Sequence, residues 1–134
     1  MILPNGATVA VVDGSRIRLF QNKGAEHGGH LVEIAAESVE RENAGSGARH
    51  HTGAANPDPA RLSEDDFSAA AAALLNRLSL EGAIEHLVLI ADPRTLGEMR
   101  KRLSSQVVRK VIREFPKELT GHSTKEIAHM ISKA

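Results

Sequence analysis

Seven basic side chains crowd one stretch of this chain: Arg94, Arg100, Lys101, Arg102, Arg109, Lys110 and Arg113, opposed between those limits only by Glu98. Cations at that density neutralise phosphates or acidic groups, so the stretch is a candidate surface for RNA or for a protein partner. The plain alternative is a solvated helix face. The chain as a whole holds 17 Lys and Arg against 17 Asp and Glu, a formal charge of zero. That balance is uneven: residues 1–67 carry 6 basic and 10 acidic side chains, whereas residues 68–134 carry 11 and 7. Phe20, Phe67 and Phe115 are the whole aromatic supply, and the core claims them, so stacking on bases is weak. RNA contact would then run through phosphate and shape, with steep salt dependence. A second basic group, Arg49, His50 and His51, sits among glycines and is a candidate loop contact.

Asp13 and Asp92 each follow an apolar run that reads as a buried strand. Two carboxylates at neighbouring strand ends could hold Mg²⁺ for hydrolysis, but a two-metal centre needs further carboxylates converging on the same point. None stands at a suitable position, and each Asp has a local role, Asp13 in a turn and Asp92 at a helix start. Metal-dependent hydrolysis is kept only as an alternative. His27 with His30, and His50 with His51, lack a third ligand and read as solvated loop histidines. Ser15 and Ser46 have no His–Asp partners, and no phosphate-cradling GxxxxGK[ST] occurs. The expectation is a protein that is not an enzyme, with no metal and no cofactor.

The elements that must position these residues follow from hydropathy. Residues 7–12, ATVAVV, form a buried strand, and Asp13-Gly14 predicts a two-residue type I′ hairpin turn. A second strand runs over Ser15–Asn22, where Arg16 and Arg18 alternate with Ile17 and Leu19. A glycine-rich connection at 23–29 leads to a third strand over His30–Glu37. Residues 38–60 hold Gly45, Gly47, Gly53, Pro57 and Pro59 with no apolar period, and predict a flexible loop. A helix is expected over Ser63–Leu80, capped by Ser63, with Glu64, Asp65 and Asp66 at its positive end and a Leu62–Phe67 staple. Its buried stripe is Phe67, Ala71, Leu74, Leu75 and Leu78, and Gly82 suits the position that ends it.

His86–Ala91 is a continuous apolar run, which suits a strand covered on both faces and paired in parallel beneath helices. Working groups in such sheets lie just past the strand end, here Asp92, Pro93, Arg94 and Thr95. The next helix is capped by Asp92 or by Thr95, whose spacing to Glu98 matches a capping box, and it buries Leu96, Met99 and Leu103. Residues 107–115, VVRKVIREF, fit either a strand or a helix, and Pro116 favours the strand. A last helix starts near Ser123 with a second capping box to Glu126, and buries Ile127, Met130 and Ile131. The order β-β-β-α-β-α-β-α predicts one α/β domain over 1–134. Its mixed five-stranded sheet carries helices on its faces and has strand two or three as an exposed edge.

ATVAVVDGSRIRLFQNKG, the helix over 63–80, HLVLIADPRTLGEMRKRL and FPKELTGHSTKEIAHMI together resemble the bacterial host attachment protein family, described as required for attachment of bacteria to host cells. Lys117-Glu118-Leu119-Thr120 stands where that family commonly has Lys-Asp-Leu-Thr. The family is distantly similar to the middle domain of archaeal and eukaryotic class I peptide release factors, which has a ribonuclease H-like sheet. The resemblance implies that fold and a non-enzymatic role in attachment, direct or indirect. It implies as the alternative a ribosome- or tRNA-associated factor. Release factors use a Gly-Gly-Gln motif on a loop leaving the third strand. The corresponding stretch here reads Gly45-Ser46-Gly47-Ala48-Arg49-His50-His51, and Gly28-Gly29 is followed by His30, so the resemblance does not extend to peptide release.

The absence of Cys removes disulfides and thiolate zinc sites. The opening MILPNGATVAVVDG lacks a basic n-region and a long apolar h-region, and no run reaches the roughly 20 apolar residues of a membrane span. The expectation is a cytoplasmic protein whose partners are a ribosome or structured RNA, or a host- or envelope-associated protein.

Overall fold

The structure, a computed structural model, describes residues 2–24, 30–34 and 59–134, with 59–65 described in backbone only. The loop expected over 38–60, with Arg49, His50 and His51, lies outside the described residues, as does His27. Two strands organise everything else. Both β1 (Thr8–Val12) and β4 (Leu87–Ala91) are buried at all five positions. They pair in parallel, in register from Thr8↔Leu87 to Val12↔Ala91. β2 (Ile17–Asn22) is antiparallel to β1, β3 (Leu31–Ile34) is antiparallel to β2, and β5 (Val111–Phe115) is parallel to β4. The sheet order is β3-β2-β1-β4-β5, the mixed five-stranded sheet expected, with β3 at one edge.

Alternation along the strands builds two cores. Ala10, Val12, Leu87, Leu89 and Ala91 face α1 (Pro59–Leu80) and α2 (Pro93–Arg100), meeting Phe67, Ala71, Leu74, Leu75, Leu96 and Met99. Val9, Val11, Val88 and Ile90 face the other way, against Phe20, Phe115 and the buried Ile127 and Ile131 of α4 (Thr124–Ser132). Asn22, almost wholly buried, ties the first residues to the β2–β3 connection. Its amide donates to Leu3 O and Pro4 O, each at 3.1 Å, and its carbonyl accepts from Gly24 N at 3.1 Å and His30 N at 2.8 Å. No buried side-chain polar atom among the described residues lacks a partner.

Several boundaries differ from expectation, each for a local reason. α1 begins at Pro59, so Ser63 lies inside it rather than capping it. Proline suits a first turn because its φ is preset and no N–H is needed there, and Ala60 and Arg61 are good helix formers. With the start moved to Pro59, Leu62 lies inside the helix rather than before its cap, and Glu64, Asp65 and Asp66 fall beyond the first turn, so neither the Leu62–Phe67 staple nor the acidic first turn is formed as expected. The Asp13-Gly14 turn is not type I′, because Gly6 and Gly82 are the only positive-φ glycines among the described residues. Asp13 Oδ1 instead accepts from Ser15 N and Arg16 N, both at 2.7 Å, and Asp13 N donates to Arg16 O at 2.9 Å. This carboxylate-built turn does not use Gly14 as a left-handed residue, and β2 begins only at Ile17.

Residues 107–115 divide rather than choose. A short helix α3 (Ser105–Lys110) precedes β5, with Ser104 Oγ accepting from Val107 N at 3.2 Å as its cap. β5 then slips by one residue against β4: Leu87 pairs with Val111 but Val88 pairs with Arg113, leaving Ile112 surplus. This bulge turns Arg113 and Phe115 toward the α4 face and Glu114 toward the α2 face. Asp92, not Thr95, caps α2, accepting from Thr95 N at 3.1 Å, while Thr95 itself is buried. Ser123 and Glu126 form the expected capping box of α4.

Gly82 ends α1 as expected, at φ +82°. Gly82 N donates to Ser79 O at 3.1 Å and Ala83 N donates to Leu78 O at 2.9 Å, the paired bonds of a Schellman motif. A Cβ there would meet nothing within 4 Å, so the penalty of a side chain is purely conformational. Gly82→Ala is expected to lower unfolding free energy by about 1–2 kcal/mol, read from urea midpoints at unchanged m-value.

Candidate nucleic-acid interface

Because Val12 and Ala91 are register partners, Asp13 and Asp92 leave the sheet side by side. Both carboxylates are engaged by the fold. Asp92 caps α2. Asp13, only 8% exposed, accepts through Oδ1 from its own turn and through Oδ2 from Thr120 Oγ1 at 2.5 Å. Burial pushes the Asp13 carboxyl up, but hydrogen bonds from Thr120 and from the Ser15 and Arg16 amides outweigh it and hold the group below 3.8. Among the described residues no group of three His, Cys, Asp or Glu side chains converges as metal ligands would.

Two arginines complete this end of the sheet. Arg16 Nη2 donates to Thr120 Oγ1 at 3.3 Å. Arg18 forks onto Glu33 with two bonds of 2.9 Å, and its Nη1 donates to the carbonyls of Thr120 at 2.9 Å and His122 at 2.6 Å. The Arg18 hydrogen bonds hold Glu33 below its ordinary range. β2 therefore clamps the segment between β5 and α4, and the Lys117–Thr120 signature has a physical role: Thr120 is the side chain that Asp13 holds.

The seven cations of positions 94–113 are not one surface. Six belong to the α2–α3 layer. Arg100 pairs with Glu114, its Nε donating at 3.1 Å, and Lys101 Nζ donates to Glu98 Oε2 at 3.2 Å. Lys110 Nζ donates to Ser79 Oγ at 2.7 Å and to Ser79 O at 3.4 Å, at the negative end of α1. Arg94, Arg102 and Arg109 are exposed. Asn76 fixes the rim from which Arg102 projects, donating to Arg102 O at 3.0 Å and accepting from Ser104 N at 2.8 Å.

Arg113 stands apart, on the other face of the sheet. Its guanidinium lies 4.9 Å above the Phe115 ring centroid. It opens a groove of about 850 Å³ between β5 and α4, whose walls include Lys117, Lys125, His129, Met130 and Lys133. Sequence reading passed over this second group. The signal was the spacing of Lys125, His129 and Lys133, four residues apart and hence one stripe of a helix.

The model of one protein family, the bacterial archaeo-eukaryotic release factor family 12, matches residues 6–131, from the turn before β1 into the last turn of α4. The chain belongs to this family. No curated protein matches it. The family 12 match carries the release-factor relation expected from the sequence; it does not carry the attachment role. Within this family 12 domain, the matched span includes the α2–α3 cations, the groove residues from Arg113 to Met130 and the Asp13–Thr120 bond.

Thr120→Val preserves volume but leaves Asp13 Oδ2 without its donor, and is expected to destabilise by about 1–3 kcal/mol. Asp13 is held below its unfolded value of 3.8, so its contribution is complete above that value and is lost as pH falls through the lower folded value. Urea midpoints measured downward from neutral pH should therefore fall less steeply for Thr120→Val than for the wild type. A parallel offset of the two curves would contradict that bond.

Proposed function

We propose that this family 12 protein is a non-enzymatic cytoplasmic factor that associates with the ribosome or with structured RNA through the α2–α3 surface. Membership of the release-factor family across 6–131 carries the reading, since it gives a translation-related ancestry to a domain that displays exposed arginines on a braced rim. Arg102 and Arg109 are the strongest contacts, and Arg94 is a further exposed cation at the start of α2. Arg100, Lys101 and Lys110 contribute less because Glu114, Glu98 and the end of α1 already hold them. Contact is to backbone phosphate, because the α2–α3 rim presents no aromatic side chain to a base.

Peptide release is not part of the proposal, because the chain contains no Gly-Gly-Gln. The non-enzymatic reading is supported by the engagement of Asp13 with Thr120 and of Asp92 with Thr95 N. No helix of the described residues is long and apolar enough to cross a membrane. Attachment to host cells, implied by the family resemblance, is then an indirect effect of altered translation and not an adhesive contact.

The test is sedimentation of lysate through sucrose at low and at high salt. The protein should travel with ribosomal particles at low salt and leave them at high salt. The double variant Arg102→Glu with Arg109→Glu should lose RNA affinity by about tenfold at low salt and flatten the salt slope by about 1.5, since each phosphate contact contributes about 0.7–0.9. Protein that stays at the top of the low-salt gradient, or a variant with unchanged slope, refutes the reading.

A further inference from the structure

We infer that the groove between β5 and α4 is a binding site for a nucleoside phosphate. It lies on the opposite face of the sheet from the α2–α3 rim and does not depend on the function proposed for that rim. Its volume of about 850 Å³ falls within the range of small-molecule sites, about 300–1,000 Å³.

The lining sorts into two chemistries. One is cationic: Lys117, Lys125 and Lys133 are exposed around the groove. The acidic side chain among them, Glu126, is turned to the α4 cap, where its Oε1 accepts from Ser123 N at 2.9 Å and lies 3.4 Å from His122 Nδ1. The field inside the groove therefore favours a compact anion. The other chemistry is planar. Phe115 is 5% exposed, and Arg113 covers its ring. Both residues line the groove, so a ligand there meets an exposed guanidinium centred 4.9 Å from the centroid of an aromatic ring, with Met130 in the same lining. Guanidinium planes backed in this way stack nucleobases. A plane for a base and ammonium groups for a phosphate fit a nucleoside phosphate as one ligand. An acidic peptide would satisfy the lysines but leave the plane unmatched.

The full chain should be titrated calorimetrically with adenosine monophosphate, guanosine monophosphate, adenosine, inorganic phosphate and a short poly-glutamate peptide. A nucleoside monophosphate should bind saturably at one site and at least about tenfold more tightly than phosphate, adenosine or the peptide. Arg113→Lys keeps the charge and removes the plane. It should weaken nucleotide binding about tenfold and leave the weak phosphate binding unchanged. Lys125→Glu with Lys133→Glu should weaken nucleotide and phosphate together. Arg102→Glu with Arg109→Glu, on the other face, should change neither. All these positions are exposed, and urea midpoints within the wild-type range verify the fold. No saturable binding, equal affinity for phosphate or peptide, or an Arg113→Lys variant that binds nucleotide as the wild type does would each overturn the inference.

Discussion

The parallel pairing of β1 with β4 is the constraint from which the rest of the molecule follows. All five register pairs are buried on both faces, and Thr8 is the one polar side chain among their ten residues. Such a pair is stable only when both faces are roofed by helices, each roof burying aliphatic area at about 25 cal/mol per Å². One roof is α1 with α2 and α3, and the other is α4. The two layers explain why the basic residues end up on two surfaces. A cation next to this sheet must sit at the rim of one roof or of the other.

The second constraint is a bond between chain ends. Asp13 closes the first hairpin and Thr120 lies between the last strand and the last helix, yet their side chains meet. Arg16 and Arg18 reach across to the same segment. The carboxylate that sequence logic can cast as a metal ligand is thus the keystone of a hydrogen-bonded corner, and its charge is met by donors from Thr120, Ser15 and Arg16, with the Arg16 Nε 3.8 Å from Oδ2. Long-range bonds of this kind order the approach of α4 to the sheet, and with it the walls of the groove.

Much of this was legible residue by residue. Five buried positions in ATVAVV and in LVLIA left no option but interior strands, and the cap at Ser123 was stated by residue type and spacing alone, whereas at the start of α2 the same signals fitted both Asp92 and Thr95. Legibility failed where two local signals were equally strong. Val107, Val108, Val111 and Ile112 are β-branched and also fall on one helical face, so the pattern could not reveal that a helix ends and a strand begins between Lys110 and Val111. Asp13-Gly14 has the composition of a primed turn, but the side chain supplied the turn's acceptor and made Gly14 ordinary. The split of the cations was invisible for a different reason, because linear charge density does not record which side of a sheet a residue faces.

That side is decided by Ile112. With one surplus residue between Val111 and Arg113, the odd and even positions of β5 exchange faces, so Glu114 reaches Arg100 while Arg113 reaches Phe115. Removing Ile112 would leave Val111 on Leu87 and Arg113 on Val88, so the guanidinium and the carboxylate would keep their faces. Keeping Ile112 but seating it opposite Val88 would instead carry Arg113 to the α2 side and Glu114 to the α4 side. What descendants of this chain must inherit is therefore the kink that absorbs the extra residue, since flattening it would exchange the two charges between opposite surfaces without altering a single amino acid.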